Sequence, residues 1–271
     1  MPRVISIANQ KGGVGKTTTA INLGASLAIA EKRTLVLDCD PQGNATSGFG
    51  IRKETEELTV YDCLVNGRPI VDAIRRGVHF PTLDVVPASR DLAAAEVELI
   101  DRANRERILR RILKPVRQEY DYLLIDSPPS LGLLTLNTLV AADTVLIPIQ
   151  CEFYALEGLS QLLNTVRIVQ RNANPDLGIE GVLLTMFDSR LNLSKQVAAE
   201  AEEYFGPKVF RTYIPRNIRL AEAPSFGKPI ALYDVLSSGA RGYLSLAREL
   251  IRRDEQAEKR WQERNRVSAK V

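Results

Sequence analysis

The chain has 271 residues, of which 45% are hydrophobic and 25% are charged, a balance typical of a soluble globular protein and too apolar for an intrinsically disordered chain. Its net charge of +3, from 36 basic and 33 acidic residues, is too small to indicate a nucleic-acid-binding protein, so any such contact needs a local cluster of cations. Three separated cysteines and a single histidine argue against a disulfide framework, a zinc ribbon and Ser-His-Asp catalysis, and they fit a reducing cytoplasm.

Short apolar runs alternate with amphipathic stretches along most of the chain. The β-branched runs predict buried strands, and the longer stretches with helical spacing predict helices. In chain order we predict strands at Arg3–Ala8, Arg33–Cys39, Leu83–Pro87, Tyr122–Ile125, Thr144–Ile149, Gly181–Thr185 and Val209–Ile214, and helices at Thr17–Ala30, Arg105–Gln118, Leu156–Arg171 and Leu193–Phe205. This alternation predicts an α/β fold, a single-domain, doubly wound, mostly parallel sheet with helices on both faces.

The C-terminal part of the chain differs in composition from the rest. From Ile251 onwards the sequence is almost wholly charged. We therefore expect one domain over residues 1–250. Residues 251–271 are expected to be the charged end of a helix or a disordered tail.

A glycine-rich loop, Gln10–Thr18 (QKGGVGKTT), follows the first predicted strand and precedes the first predicted helix. Glycines let the backbone approach phosphate oxygens closely, and the N–H groups of a helix N-terminus supply positive potential. In such a loop Lys16 reaches the β- and γ-phosphates and the Thr17 hydroxyl binds Mg²⁺. The alternative, a plain glycine-rich turn, does not explain why Lys16 and Thr17 occur at these positions. The other loop residues predicted to bind a nucleotide are Lys11, Gly12, Gly13, Val14, Gly15 and Thr18.

The loop departs from the common GxxxxGK[ST] pattern because Lys11 occupies the position of the first glycine. A cation there can reach a phosphate across a dimer interface, or it can be an ordinary solvated lysine, and spacing alone leaves both open. The stretch KGGVGKTT resembles the deviant Walker A motif of the ParA/MinD family of P-loop ATPases. In that family the early lysine contacts the partner subunit's nucleotide in an ATP-sandwich dimer. The resemblance implies that role for Lys11 and a P-loop ATPase domain over residues 1–250.

Three aspartates end predicted strands near this loop. Asp38 and Asp40 close the stretch LVLDCDPQGN, and the carboxyl ends of parallel strands face a ligand crevice. Asp126 follows four apolar residues in YLLIDSPPSLG, the Walker B pattern, and is predicted to hold Mg²⁺ directly or through a water. The resemblance implies that Asp40 positions or activates the attacking water and that Asp38 lies near Mg²⁺. Alternatively, Asp38 and Asp40 only form the turn before Pro41 and Gly43.

The stretches Thr185–Asp188 and Tyr213–Asn217 are expected at the same edge of the sheet. By resemblance they form an adenine pocket, with contacts from Met186, Pro215 and Asn217. The expected ligands are therefore ATP or ADP with Mg²⁺, and the expected reaction is hydrolysis of ATP to ADP and phosphate. Phosphoryl transfer depends mainly on positioning and charge neutralisation. The predicted catalytic residues are Lys11, Lys16 and Asp40.

Branches of the family differ in residues that can be checked in this chain. Iron–sulfur members need cysteines after the switch loops or a CxxC pair, and neither arrangement occurs. MinD-type members bind membranes through bulky apolar residues on a C-terminal helix, whereas after Ile251 this chain offers only Trp261 besides valine and alanine. The sequence also contains no run of about 18 apolar residues and no signal-peptide pattern. We therefore expect no membrane association.

Chromosomal ParA/Soj-type proteins resemble the sequence over residues 3–250. The stretches that carry this resemblance are DPQGNATSGFG, CEFYALEGLSQLLNTV, GVLLTMFDSRLNLSKQV and IPRNIRLAEAPSFGKPI. The first strand starts at residue 3, so a small form without an N-terminal helix-turn-helix is expected. The resemblance implies an ATP-bound homodimer that binds double-stranded DNA without sequence preference. The resemblance also implies that a ParB-type partner stimulates hydrolysis and releases the dimer from DNA, so that chromosomes or plasmids are segregated on the nucleoid.

A local excess of cations is consistent with DNA binding, since residues 218–271 contain 11 Lys or Arg and 7 Asp or Glu. The candidate contacts lie in or near loops after the last strands and are Arg190, Lys195, Arg216, Arg219, Lys228 and Arg241. Each of them alone is equally explained as a solvated charge. Two other functions stay open: a membrane-cycling regulator of the MinD kind and an ATP-switched regulator of a replication initiator. An amidoligase or synthase of related fold would need a substrate pocket that the sequence does not reveal.

Overall fold

The computed structural model describes residues 2–55, 57–152 and 157–268. Its strands are β1 (Arg3–Ile7), β2 (Thr34–Asp38), β3 (Leu83–Val86), β4 (Tyr122–Asp126), β5 (Thr144–Gln150) and β6 (Gly178–Thr185). They form one sheet in the order β3-β2-β4-β1-β5-β6, and its strand pairings are parallel. The predicted doubly wound parallel sheet is confirmed.

Helices cover both faces of this sheet. In chain order they are α1 (Lys16–Ile29), α2 (Asn44–Gly48), α3 (Val60–Leu64), α4 (Ile70–Ala73), α5 (Ala95–Glu98), α6 (Ile108–Leu113), α7 (Leu133–Ala141), α8 (Glu157–Asn172), α9 (Asn192–Phe205), α10 (Ile218–Glu222), α11 (Ile230–Tyr233) and α12 (Ser238–Ser268). Successive side chains of a strand point to opposite faces. Ile5 and Ile7 therefore pack in one core with α1 and α12, while Val4 packs in the other with α7 and α8. This double burial explains why the strands are almost continuously apolar.

The strand order reverses at β1. From β1 the chain crosses to β2 on one side, and it later reaches β5 on the other side. In open α/β sheets, ligands bind in the crevice at the carboxyl ends of the strands, where the order reverses. The loop that follows β1, Gln10–Thr18, lies at this position.

The predicted strand at Val209–Ile214 is wrong. The segment runs beside β6 with one isolated bridge, Val209 to Val182, and with single N–H bonds from Phe210 and Ile214 to β6 carbonyls. The Glu249 carboxylate of α12 accepts the backbone N–H groups of Arg211 and Thr212, each at 2.9 Å. Because the Thr212 donor, which lies between the β6-facing donors of Phe210 and Ile214, is bound by a side chain, no continuous ladder with β6 forms.

The predicted helix at Arg105–Gln118 is wrong in its length. Only Ile108–Leu113 is α-helical, and single 3₁₀ turns lie on either side. Pro115 has no backbone N–H with which to bond the carbonyl of Arg111, so the helix cannot continue.

The C-terminal helix α12 extends through Ile251 to Ser268, so residues 251–268 are helical rather than a tail. The predicted helix at Leu156–Arg171 corresponds to α8, and its first residue, Leu156, lies outside the described residues. Within the described ranges, no helix combines the length and apolarity needed to cross a membrane.

Candidate active site

The loop Gln10–Thr18 has the backbone geometry of an anion-binding loop. Gly13 and Gly15 have φ angles of +76° and +89°, a region that favours glycine. Gly15 immediately precedes α1, and no side chain in the described part of the chain caps the first N–H groups of that helix. The N-terminus of α1 therefore presents free donors and positive potential to an anionic ligand.

Two polar side chains outside the motif hold this loop in place. Asn9 donates from Nδ2 to the Pro148 carbonyl at 2.7 Å and accepts the Lys11 N–H at 3.1 Å. Thr185, at the end of β6, donates to the Val14 carbonyl at 2.9 Å. Neither role was predicted. Asn9 could have been found as the first polar residue after an apolar strand, whereas nothing in the sequence distinguishes Thr185 from any other strand end.

Lys16 is buried at the first position of α1, with 7% of its surface exposed. Its ammonium group donates to the Lys11 carbonyl at 3.1 Å, so the side chain lies back along the loop. Burial lowers the pKa of Lys16, and the carboxylates of Asp126 and Asp40 partly oppose this shift. A phosphate bound by the loop would favour the charged form further.

Asp126 is the side chain of the site that most requires a ligand. It ends β4, is fully buried, and neither of its carboxylate oxygens has a hydrogen-bond partner among the described residues. Burial raises its pKa well above the usual range, and the neighbouring Asp38 adds to the shift, while the nearby Thr17 hydroxyl opposes it. Buried carboxylates without partners are costly unless a cation compensates them.

Asp38 lies beside Asp126, as its register partner on β2. Unlike Asp126, it is fully hydrogen-bonded: Oδ2 accepts the Thr46 N–H and hydroxyl, both at 2.7 Å, and Oδ1 accepts the Asp40 N–H at 3.2 Å. Burial raises the pKa of Asp38 to about 6 despite these bonds. Asp38 therefore anchors α2 through Thr46, a role that was not predicted, and its place near a metal ion stays a prediction.

The donor set fits Mg²⁺, which prefers oxygen ligands. The hydroxyl of Thr17 and the carboxylates of Asp38 and Asp126 meet at the carboxyl ends of β2 and β4, next to the loop. The two unpartnered oxygens of Asp126 are the observation in this structure that favours a divalent cation.

Asp40 lies at the mouth of the same crevice and is 7% exposed. Its Oδ1 accepts the Gln42 N–H at 2.9 Å. Together with Pro128, Pro129 and Ser130 it lines an open cavity of about 250 Å³ between the loops that follow β2 and β4. This position gives water access to Asp40, as its predicted role requires.

Lys11 reaches away from the loop interior. Its ammonium group lies 3.3 Å from the Glu152 carboxylate, and the two side chains are 35% and 44% exposed. Ion pairs this exposed contribute about 0–1 kcal/mol, so Lys11 is free to exchange its partner.

The residues predicted to contact adenine lie at the same edge of the sheet. The Phe187 N–H bonds the Ile214 carbonyl at 3.0 Å, which places Met186 near Pro215. Asn217 caps α10: its side-chain oxygen accepts the Arg219 N–H at 2.8 Å, and its Nδ2 donates to Ser238 at 2.7 Å. The amide of Asn217 therefore already has structural partners, and its contact with adenine stays a prediction.

The six predicted DNA contacts are all at the surface, but two of them already form salt bridges. Arg190 forms a salt bridge with Asp188 at 2.7 Å, and Arg219 forms one with Glu222 at 2.9 Å. The remaining four have no salt bridge within the described residues and are Lys195, Arg216, Lys228 and Arg241.

The buried carboxylates predict a stability change on substitution of Asp126. Its raised pKa means that the charged form destabilises the folded, nucleotide-free protein at neutral pH. Asp126→Asn removes this charge, and we expect the melting temperature at pH 7.5 to rise by about 3–6 °C, the change that about 1–2 kcal/mol produces in a chain of this size. Thermal unfolding of the nucleotide-free protein measures it.

The pH dependence supplies the control for this prediction. The wild type should gain stability as the pH falls from 7 towards 5, through the pKa of about 6 of Asp38, and the advantage of Asp126→Asn should shrink over that range. Asp101→Asn, at an exposed position, should change neither the melting temperature nor its dependence on pH. A lower melting temperature for Asp126→Asn, or an advantage that is the same at both pH values, would contradict the assignment.

Comparisons with known proteins show which proteins the whole chain resembles. A family model described as "AAA domain" matches residues 2–179. The chain is 60% identical over 252 residues to the chromosome partitioning protein ParA of Myxococcus xanthus, covering 93% of this chain and 89% of that protein. It is also 60% identical over 250 residues to the sporulation initiation inhibitor protein Soj of Bacillus subtilis, covering 92% and 98%. A solved structure of cobyrinic acid a,c-diamide synthase from Mycobacterium smegmatis, with bound ATP analog and magnesium, has a TM-score of 0.83 at 36% identity and covers 95% of this chain and 97% of that chain.

Proposed function

Since the chain belongs to the ParA/Soj family of chromosome-partitioning ATPases, we propose that it is an ATP-controlled switch that partitions DNA. ATP and Mg²⁺ bind the monomer, and two monomers then close into an ATP-sandwich dimer. The dimer binds double-stranded DNA without sequence preference, and hydrolysis, stimulated by a ParB-type partner, releases it. The observation that carries the proposal is the pair of unpartnered Asp126 oxygens beside the uncapped N-terminus of α1, a site suited to a metal-bound triphosphate.

Each side chain of the site has a task in this reaction. The free N–H groups of the loop and the Lys16 ammonium bind the phosphates. Thr17, Asp126 and Asp38 would hold Mg²⁺, which would supply neutralisation of the negative charge on the bound phosphates. Asp40, at the cavity, orients the attacking water and accepts its proton.

Lys11 links hydrolysis to assembly. Its exposed side chain leaves Glu152 and reaches the phosphates of the second subunit, where it neutralises charge that develops during hydrolysis. Closure brings the cations of both subunits onto one surface, so the dimer binds DNA more tightly than the monomer. A ligand favours the state that binds it better, and DNA therefore also favours the ATP-bound dimer.

The solved structure of the synthase raises a second candidate function, an ATP-dependent synthase. It is 36% identical to this chain, whereas the chromosome partitioning protein is 60% identical over nearly the same span. DNA binding that depends on ATP would decide for the partitioning function.

Dimerisation is tested most simply at Gly12. A Cβ on Gly12 would have no atom of the described residues within 4 Å, and no positive φ is recorded there, so the monomer tolerates a side chain. We expect Gly12→Val to bind ATP within about threefold of wild type but to stay monomeric, because the valine obstructs the second subunit. Sedimentation velocity with Mg·ATP measures this, and Gly12→Ala should obstruct less. A normal ATP-dependent dimer of Gly12→Val would contradict the proposed interface.

The DNA surface is tested at the exposed cations that have no salt bridge. Reversing two of them, Lys195→Glu with Lys228→Glu, should weaken DNA binding by the ATP-bound protein at least about tenfold. The plot of log K against log salt should also become less steep, its slope decreasing in magnitude by about 2. Arg167→Glu, on the exposed side of α8, changes the charge without touching the proposed surface. Arg167→Glu reverses one charge and the double variant reverses two, so an effect of Arg167→Glu on log K half as large as that of the double variant would show that only net charge matters.

A further inference from the structure

Helix α7, which follows the loop after Asp126, has no capping side chain of its own. Gly132 precedes it in an extended conformation, and its first turn contains no acidic residue. Instead, the Glu96 carboxylate from α5 accepts the Leu134 N–H at 3.4 Å and occupies the space where a Cβ on Gly132 would lie. A carboxylate at this position compensates both the free donors and the positive potential of the helix N-terminus.

The first turns of α7 in turn hold the loop Ser127–Leu131. The Thr135 hydroxyl donates to the Ser130 carbonyl at 2.6 Å, and the Thr138 hydroxyl pairs with that of Ser127 at 2.9 Å. Both contacts fix backbone or side chains that directly follow Asp126. The start of α7 therefore determines where this loop lies.

Glu96 also lines the cavity of about 250 Å³ that Asp40 lines. The cavity is closed on one side by the loop that α7 holds. A shift of this loop would change the space in which Asp40 meets the attacking water, whereas the phosphate-binding loop after β1 would be unaffected.

We propose that Glu96 is a positioning residue for ATP hydrolysis: it caps α7 from outside the helix and so fixes the loop Ser127–Leu131 opposite Asp40. This inference rests on the proposed function and names a residue that acts through the loop rather than on the reacting atoms. It therefore affects the rate of hydrolysis and not the affinity for ATP.

The test compares Glu96→Ala, Glu96→Gln and Glu98→Gln. Glu96→Ala should lower kcat about tenfold while the dissociation constant for ATP changes less than twofold, since the phosphate-binding groups are untouched. Glu96→Gln keeps an oxygen that accepts the Leu134 N–H and should recover kcat to within about threefold of wild type. Glu98, on the same helix, accepts only the Tyr61 hydroxyl among the described residues, and Glu98→Gln should behave as wild type.

A double-mutant cycle with Gly132→Ala separates positioning from general destabilisation. The new methyl group displaces the Glu96 carboxylate, so Gly132→Ala alone should lower kcat about as much as Glu96→Ala. In the Glu96→Ala background the space is free, and Gly132→Ala should have no further effect. Additive losses in the double variant would overturn the proposal, as would an equal loss of ATP affinity in Glu96→Ala.

Amide hydrogen exchange tests the cap without relying on hydrolysis. In the nucleotide-free protein, the Leu134 amide, which Glu96 binds, should exchange about fivefold faster in Glu96→Ala than in wild type, since loss of a cap weakens the protection of the first turn by about that factor. Unchanged exchange there would overturn the cap. If the wild type hydrolyses no ATP, the proposed function fails, but the exchange result still decides whether Glu96 caps α7.

Discussion

Lys16→Ala is expected to weaken ATP binding by about 100-fold, because a charge-assisted hydrogen bond to phosphate is worth about 1.5–3 kcal/mol and each 1.4 kcal/mol is a factor of ten. Lys16 is buried at the start of α1; burial lowers its pKa, and the carboxylates of Asp126 and Asp40 favour its charged form, the form that binds phosphate. Isothermal titration with a slowly hydrolysed ATP analogue in the presence of Mg²⁺ measures the effect.

Lys11→Ala is the matched control for this prediction. Both lysines belong to the same loop, but the Lys11 side chain is exposed and paired with Glu152. Its removal should leave ATP binding by the monomer within about threefold of wild type and should abolish dimer formation. If Lys11→Ala weakened binding by the monomer as much as Lys16→Ala does, both lysines would act within one subunit, and the assignment of Lys11 to the partner's phosphates would be wrong.

Asp40→Ala is expected to leave ATP binding and dimerisation intact and to lower kcat by about 10²–10⁴-fold, the usual contribution of a positioned general base. The ATP-bound dimer should then persist, because hydrolysis is the step that dissolves it. Single-turnover hydrolysis, together with the lifetime of the dimer after dilution, measures both effects.

Asp40→Asn separates chemistry from local structure at this position. Asp40 accepts the Gln42 N–H, and the asparagine oxygen can keep that bond while the basic carboxylate is lost. Both variants should therefore be equally slow. A slow alanine variant beside a nearly normal asparagine variant would mean that Asp40 acts only by holding the turn, and a normal rate in both would exclude it from catalysis.

The sheet could be predicted from the sequence because strands buried on both faces are continuous apolar runs. The phosphate-binding loop was equally predictable, since a strand, glycines, a lysine, a hydroxyl and a helix occur there in fixed order. Long-range side-chain contacts were not predictable. Glu249, on α12, binds the N–H groups of Arg211 and Thr212, of which a seventh strand would need the second, and no local pattern near those two residues indicates this.

The residues of the site also differ in how far the sequence predicts them. Lys16 and Asp126 stand in motifs and were predicted by position. Glu96 and Thr46 were not, because each acts on a partner far along the chain: Glu96 on α7, and Thr46 as the donor that holds Asp38 and the acceptor of the Ala88 N–H. Motifs mark the groups that touch the ligand, whereas the groups that hold those residues in place depend on tertiary contacts.

The measurement that tests the central claim most directly is DNA binding at moderate salt under four conditions: no nucleotide, ADP, ATP, and ATP with Asp40→Ala. The account predicts binding that appears only with ATP, weakens as wild-type protein hydrolyses it, and persists with Asp40→Ala. Binding of equal strength under all four conditions would show that nucleotide does not control the DNA surface. If ATP-bound dimers formed without any DNA binding, the partitioning function itself would be contradicted.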